Sequence, residues 1–155
     1  MTYCLAAKVR DGLVFASDSR TNAGVDHVST YSKMHIFGID EERQIVLLSA
    51  GNLATTQAVI AKLKRDIREN ASETLFTVRT LEDAADLVGR TVVYDMERHG
   101  SAVTQAGFSA EVTFIVGGQI YGGEPALYMV YPQGNYISTS KETRYLQIGE
   151  AKYGK

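Results

Sequence analysis

The sequence has little cysteine, no long apolar run and no excess of basic residues, and each shortage excludes a class of protein. Cys4 is the only cysteine among 155 residues, so the chain cannot form an internal disulfide framework or a multi-cysteine metal site. A single cysteine fits a reducing cytoplasm. No uninterrupted apolar stretch approaches the roughly 18 residues that a membrane-spanning helix needs. We therefore expect no membrane partner.

Charge and the opening segment narrow the class further. The formal net charge is −2 at neutral pH, so we expect no broad basic surface and no nucleic-acid partner. The first residues lack a basic region and are interrupted by Lys8 and Arg10, which argues against a signal peptide. We expect a soluble, cytoplasmic protein with one domain over residues 1–155, long enough to bury a core.

Apolar runs in the first fifty residues predict four strands in two hairpins. The predicted strands are Thr2–Val9, Leu13–Ser19, Met34–Ile39 and Gln44–Ser49. The polar stretch Arg20–Ser32 between the hairpins is interpreted as a loop. The run Ile45–Leu48 is continuously apolar, which predicts that both faces of this strand are covered.

The apolar period then changes to that of two helices. Asn52 is the predicted N-cap of the first helix, whose apolar face runs from Leu53 to Ile67. After a polar link, the same pattern runs from Leu81 to Met96 and predicts a second helix that ends near Gly100.

The last third returns to strand patterns. Three strands are predicted, at Val112–Val116, Ala126–Tyr131 and Tyr136–Ser138. The predicted turns are Gly117-Gly118, Gly122-Gly123 and Pro132–Asn135. The order β-β-β-β-α-α-β-β-β predicts an α+β fold in which helices pack on a largely antiparallel sheet.

Thr2 is the first candidate for chemistry. If Met1 is removed, Thr2 carries a free α-amine, whose ordinary pKa is roughly 7.7–8. Such an amine can take the proton of its own residue's hydroxyl and so activate a weak nucleophile. Many proteins begin Met-Thr without any catalytic consequence, and both interpretations stay open for this residue alone.

Three further positions suit the same chemistry, and each also has an ordinary explanation. Asp18 at a strand end can hold a cation, or it can belong to a plain strand exit. Lys33 would favour a neutral amine if it lay close to Thr2, although a lysine at a strand entrance is usually solvated. Gly51 precedes a helix, where backbone N–H groups stabilise negative charge, but many strand–helix turns contain glycine.

Metal and cofactor sites are not predicted. The three histidines are His27, His35 and His99, and they lack the spacing of metal ligands. Ordinary surface or core histidines are the better interpretation.

Taken together and in this order, these features resemble the opening of a proteasome β-subunit. Residues 17–27 are most similar to the bacterial subgroup called Anbu, the ancestral β-subunit proteins. The combination is specific, although no single motif is. The segments that carry the resemblance are Lys8–Arg20, Ser17–His27, Lys33–His35, Ser49–Ala54, Gly122–Pro125 and Gln147–Glu150.

The resemblance implies a fold, an activity and partners. The fold is that of N-terminal-nucleophile hydrolases, a four-layer α-β-β-α sandwich. The activity is that of a threonine peptidase. The partners are like subunits in a homo-oligomer and a peptide or unfolded protein as substrate, with no cofactor. An unfoldase partner is not identified.

The resemblance also assigns roles to residues. Thr2 matches the nucleophile and base. Asp18 and Lys33 match a charged pair beside the nucleophile. Gly51 matches the glycine whose backbone N–H lines the oxyanion hole, which stabilises the tetrahedral intermediate.

Ser49 and Leu53 match residues that shape the pocket for the substrate residue preceding the scissile bond. Arg20, beside the acid, is interpreted as a further member of the charged network.

The sequence also departs from the family pattern. The loop between Asp18 and Lys33 is one residue shorter than in the proteasome subunits that it resembles. The family has a serine where this chain has Gly149–Ala151, and a further aspartate and serine would lie beyond Lys155. We therefore expect the C-terminal part, with its second helical layer, to be missing.

Two alternatives to a peptidase stay open. One is a structural subunit that serves assembly without catalysis. The other is a hydrolase of small amides or esters, because its nucleophile chemistry would be the same.

Overall fold

The computed structural model describes residues 2–22, 28–150 and 152. Its strands are β1 (Tyr3–Val9), β2 (Gly12–Ser17), β3 (Arg20–Asn22), β4 (Val28–Thr30), β5 (Met34–Ile39), β6 (Arg43–Gly51), β7 (Val112–Ile120), β8 (Ala126–Val130), β9 (Tyr136–Ser138) and β10 (Tyr145–Gly149). Its helical elements are α1 (Leu53–Arg68), α2 (Leu81–Asp95), a π turn (Met96–Gly100) and α3 (Ser101–Gln105).

The strands form two stacked sheets. The larger sheet has the order β5-β6-β7-β8-β9 and the smaller has the order β10-β1-β2, while β3 and β4 form a separate ribbon. Every pairing is antiparallel. The predicted α+β class with an antiparallel sheet is therefore confirmed.

Two apolar cores hold the layers together. One lies between the larger sheet and the helices α1 and α2, and it includes Leu47, Val59 and Phe114. The other lies between the two sheets and includes Cys4 and Leu48. Because β6 contributes to both cores, the prediction that its two faces are covered is confirmed.

The helices begin where capping side chains are available. Asn52 accepts a hydrogen bond from the Thr55 amide at 3.0 Å, which confirms the predicted N-cap of α1. Thr80 and Asp83 form a reciprocal capping box at the start of α2. Within residues 2–22, 28–150 and 152, no helix is long and apolar enough to cross a membrane.

The predicted turn at Gly117-Gly118 is wrong, because β7 continues to Ile120. Gly117 and Gly118 are paired within the sheet, opposite Val46 and Ile45 of β6. A Cβ atom at Gly118 would collide with the carbonyl oxygen of Gln44, and one at Gly117 would collide with the Leu127 side chain. Glycine serves close packing at this point of the sheet, so its usual association with turns misleads.

Three larger differences from the prediction concern whole elements, while several strand bounds shift by one or two residues. The stretch Arg20–Ser32, interpreted as a loop, contains the ribbon strands β3 and β4. The helical path does not end near Gly100 but passes through the π turn into α3. Strand β10 was not predicted, and it pairs with β1 from the opposite end of the chain.

The described residues supply three layers of the expected α-β-β-α sandwich. Helices α1 and α2 cover one side of the larger sheet, and the smaller sheet covers the other. The outer face of the smaller sheet includes the exposed apolar side chains Val14 and Tyr145. The second helical layer is not formed by the part of the chain that the structure describes.

Candidate active site

An ion pair lies directly beside the start of β1. The Lys33 ammonium donates to Oδ2 of Asp18 at 2.6 Å. The other carboxylate oxygen, Oδ1, accepts from the backbone N–H of Tyr3 at 2.8 Å. In return, the Asp18 amide donates to the Tyr3 carbonyl at 3.1 Å. Asp18 therefore connects Lys33 to the residue that follows Thr2.

The ion pair is only partly shielded from solvent. The Lys33 side chain is 7% exposed and that of Asp18 is 35% exposed. Partial burial acts to raise the pKa of Asp18, but hydrogen bonds from Lys33 and from the Tyr3 amide outweigh it and hold the pKa below its usual value. The carboxylate is therefore ionised at neutral pH. The alternative of a solvated Lys33 is wrong.

Backbone groups complete the surroundings of the ammonium. Lys33 also donates to the Arg20 carbonyl oxygen at 2.6 Å, and the Ser49 amide donates to the Lys33 carbonyl at 3.0 Å. Arg20 thus takes part through its main chain, while its side chain is exposed. The sequence had instead suggested a role for the Arg20 charge.

Cys4 lies next to this ion pair on the inner side of β1. Its thiol is fully buried and donates weakly to the Ser49 carbonyl, with a sulfur–oxygen distance of 3.6 Å. Burial, aided by the negative charge of Asp18, raises the pKa of Cys4 to about 11. A neutral thiol at physiological pH serves as a packing group in this strand.

Gly51 ends β6 just before the N-cap of α1. Its φ angle is +125°, and a Cβ atom would collide with the Glu111 carbonyl oxygen, so a side chain cannot be accommodated without a shift. Gly51 lines an open cleft of about 450 Å³ together with Met129, Gln147 and Gly149. The partial positive charge of the nearby helix start favours anions at this end of the cleft.

Thr2 lies beside Gly149, one of the residues that line this cleft. A Cβ atom at Gly149 would collide with the Thr2 carbonyl oxygen, and the Glu150 amide donates to that oxygen at 2.7 Å. Thr2 itself is partly exposed. The β1–β10 pairing therefore brings Thr2 next to Gly149, which lines the cleft together with Gly51.

The structure brings some of the predicted site residues together more directly than others. Hydrogen bonds link Asp18, Lys33 and the backbone of Ser49 at the start of β1. Ser49 is buried, with 3% of its surface exposed. Leu53 is the first residue of α1 and is partly buried. Their roles in a substrate pocket stay predictions.

The resemblance places Gly149 and Glu150 at a family position near the nucleophile, and the Glu150 amide does bond to Thr2, but the strand β10 that brings them there was not predicted. A β-strand pattern at Tyr145–Gly149 was the available signal. Met1 and His27, two residues considered from the sequence, lie outside the described residues. Within those described, no group of three His, Cys, Asp or Glu side chains is arranged to hold a metal ion.

This arrangement is suited to one kind of chemistry. Thr2, which bears a hydroxyl, precedes Tyr3, whose amide donates to the carboxylate that also binds the buried Lys33 ammonium. A cation close to an amine disfavours its protonation and stabilises a developing alkoxide. Such a charge would favour activation of a terminal threonine by its own amine.

Comparisons with known proteins agree on one family. The family model described as Proteasome subunit matches residues 2–153. Among solved structures, Anbu, the ancestral beta-subunit from Yersinia bercovieri, is 44% identical with a TM-score of 0.89. The aligned region covers 98% of this chain and 62% of the Yersinia bercovieri chain.

A second solved structure is the helical assembly of the Anbu complex from Pseudomonas aeruginosa. It is 49% identical with a TM-score of 0.90. The aligned region again covers 98% of this chain and 62% of the relative's chain. The chain thus spans less than two thirds of the length of these relatives. No match was found among curated proteins.

Proposed function

The chain belongs to the proteasome subunit family and resembles Anbu structures, and from this and the surroundings of Thr2 we propose that it is a threonine-type amide-bond hydrolase. Thr2 is the nucleophile and its α-amine is the base, once Met1 has been removed. The observation that carries the proposal is the ion pair of the buried Lys33 with Asp18, whose carboxylate also accepts from the amide of the residue after Thr2.

The reaction begins with attack by Thr2 Oγ on the substrate carbonyl carbon, while the hydroxyl proton moves to the α-amine. The tetrahedral intermediate then collapses, the C–N bond breaks, and the departing amine takes the proton from the α-ammonium. An acyl ester remains on Thr2. Water attacks this ester, gives a proton to the α-amine, and releases the acid as Oγ is reprotonated.

Each neighbouring residue has a part in this scheme. In the proposed scheme Lys33 lowers the proton affinity of the amine and stabilises the alkoxide, since Asp18 holds its ammonium beside the start of β1. Asp18 holds Lys33 in place and keeps the charge pair nearly neutral overall. The backbone N–H of Gly51 is the proposed donor to the oxyanion, and Ser49 and Leu53 are the proposed pocket residues.

Assembly is part of the same proposal. The Pseudomonas aeruginosa relative is a helical assembly, and we extend a homo-oligomer of like subunits to this protein. The exposed apolar side chains Val14 and Tyr145 support burial of the outer sheet face in the complete protein. Enclosure in such an assembly would limit access to peptides and unfolded chains, and the proposed location is the cytoplasm.

Peptide hydrolysis tests this function. A preparation in which Thr2 is the first residue is incubated with fluorogenic peptides and, side by side, with small acyl amides and esters. We expect peptide cleavage that Thr2→Ala abolishes and that Thr2→Ser partly retains, since serine keeps both the hydroxyl and the amine.

The outcomes separate the alternatives. Cleavage of only the small amides or esters would identify a small-molecule hydrolase. A folded preparation that begins at Thr2 and cleaves none of these substrates would indicate a structural subunit. Cleavage that survives Thr2→Ala would contradict the assignment of the nucleophile.

A further inference from the structure

Glu150 directly follows β10 and lies beside Thr2, which directly precedes β1. The register of β1 and β10 pairs Tyr3 with Gly149 and Cys4 with Ile148. One step further along, the Glu150 amide donates to the Thr2 carbonyl at 2.7 Å. Opposed residues in an antiparallel pair have Cα atoms about 5 Å apart, a distance that a glutamate side chain is long enough to span.

Gly149 keeps the two strands this close. Its φ angle is +86°, a conformation that favours glycine, and a Cβ atom would meet the Thr2 carbonyl oxygen. A larger residue here would push β10 away from Thr2. The glycine is therefore needed for the approach that places an acidic residue beside the candidate nucleophile.

The other charges around Thr2 are already engaged. Both oxygens of Asp18 are used, one by the Tyr3 amide and one by Lys33. The buried Cys4 thiol is neutral, because its pKa is raised to about 11. Asp18 therefore has little capacity to take a further ammonium.

Glu150 differs from Asp18 in this respect. Its side chain is 49% exposed, and its carboxylate lies 3.5 Å from the Lys152 ammonium, whose own side chain is 66% exposed. An ion pair between two exposed side chains is weak and exchanges readily with solvent. The carboxylate can therefore turn to a second cation without a large cost.

We propose that Glu150 is a positioning residue for Thr2, whose carboxylate binds the α-ammonium formed when the amine takes the hydroxyl proton. This inference rests on the proposed function, since it needs Thr2 as the first residue. Glu150 acts against Lys33: the carboxylate favours the protonated amine and the lysine disfavours it. The pH at which Thr2 becomes active is set by the balance of the two charges, together with Asp18 and Lys152.

Direct titration of the α-amine tests the proposal without requiring any hydrolysis. In a chain that begins at Thr2, the rate of acylation of the α-amine by an amine-directed reagent is followed against pH by mass spectrometry. We expect Glu150→Gln to lower the pKa of this amine by about half a unit or more, because an adjacent negative charge is lost. Glu150→Asp, which keeps the charge, should recover part of the shift.

Two further variants serve as controls, one with an expected pKa shift of opposite sign and one with no expected shift. Lys152→Gln removes a nearby positive charge and should shift the pKa upward, opposite to Glu150→Gln. Glu142→Gln makes the same chemical change at an exposed position before β10 and should leave the titration unaltered. If the α-amine has the same pKa in folded Glu150→Gln and in folded Glu142→Gln, the proposal is overturned.

The pH profile of kcat/KM supplies the second readout. We expect the acid limb to move to lower pH in Glu150→Gln, by about the shift seen in the titration. If the α-amine pKa falls in Glu150→Gln but the protein hydrolyses no peptide, the role of Glu150 stands and the peptidase function is refuted. If Glu150→Gln hydrolyses peptides with the wild-type acid limb and the wild-type α-amine pKa, the role of Glu150 is refuted and the proposed function stands.

Discussion

The Lys33 ammonium and the Asp18 carboxylate meet at 2.6 Å, just beneath the strand that begins with Tyr3. Lys33 lies within the protein, whereas Asp18 keeps contact with solvent. The pair stabilises the start of β1 through the Tyr3 amide, and in the proposed mechanism it sets the charge beside Thr2. The same two side chains therefore serve the fold and the proposed chemistry, and substitutions in them should affect both.

Asp18→Asn should lower the free energy of unfolding by about 2 kcal/mol. Loss of one partner of a fully buried pair costs about 3–5 kcal/mol, and the exposure of Asp18 reduces that figure through solvent screening. Urea denaturation of Asp18→Asn, Lys33→Met and the double variant checks this. We expect the double variant to lose about 1 kcal/mol less than the sum of the single losses.

The exposed pair of Arg10 and Asp11 supplies the control, with side chains 93% and 82% exposed. Asp11→Asn should change stability by less than about 0.5 kcal/mol. Strict additivity of the Asp18 and Lys33 substitutions would contradict a coupled pair.

Acid pH should weaken the same interaction. The pKa of Asp18 is lower in the folded protein than its ordinary value of 3.8. The ionised carboxylate therefore stabilises the fold above about pH 4, and this stability is lost as pH falls through the lower folded pKa. Unfolding free energies measured across this range should fall less steeply for Asp18→Asn than for the wild type. An equal slope in both proteins would argue against the ion pair.

Arg43 connects the link between α1 and α2 to the larger sheet. Its buried guanidinium donates to the carbonyls of Leu75 and Val78 at 3.0 and 2.9 Å, and it also pairs with Glu42. Arg43→Lys loses the planar fork that serves several acceptors and should cost about 2 kcal/mol, measured by denaturation. The exposed Arg10→Lys is the control, and equal small effects in both would refute the role of Arg43.

Local patterns identified most of the elements, while long-range contacts escaped them. The cap at Asn52 and the apolar period after it predicted α1, because both signals lie within a few residues of each other. Strand β10 was missed, because its only described strand partner is β1 at the other end of the chain. Gly117 suggested a turn, since sequence alone does not reveal that Leu127 fills the space beside it.

The candidate site divides in the same way. Thr2, Asp18, Lys33 and Gly51 were found through the order of family motifs, not from the chemistry of any one position. The burial of Lys33 and the close approach of Glu150 to Thr2 depend on tertiary structure. No periodicity in the sequence reports either contact.

His35 should make the protein sensitive to mild acid. Its Nε2 atom is buried without a hydrogen-bond partner among the described residues. Burial, with a smaller contribution from Lys64, lowers the pKa of His35 below its ordinary value of 6.5. The unfolded chain binds this proton more readily, so stability should fall as pH decreases below about 6.5.

Thermal unfolding at several pH values between 5 and 8 checks this prediction. His35→Gln should flatten the decline on the acid side, because the titrating group is removed. His99→Gln, at an exposed position, should retain the wild-type decline. A decline that is identical in His35→Gln and the wild type would contradict the prediction.

Gly149 offers a matched comparison with Gly122. Their φ angles are +86° and +83°, so alanine is similarly strained at either position, but only at Gly149 does a Cβ atom meet the backbone of Thr2. Gly122→Ala should lower the free energy of unfolding by about 1 kcal/mol. Gly149→Ala should cost about 3 kcal/mol, because the collision adds to the strain, and it should also slow modification of Thr2.

Equal losses of stability from the two alanine substitutions would show that the close approach of β10 to Thr2 carries no energetic weight. Denaturant titration measures the losses.

The most direct test of Thr2 as a nucleophile is its reaction with a threonine-directed electrophile, read by intact mass and peptide mapping. In a preparation that begins at Thr2, we predict one adduct, on Thr2, with none in Thr2→Ala and a slower reaction in Lys33→Met. The absence of an adduct in folded protein, or an adduct on another residue, would contradict the account.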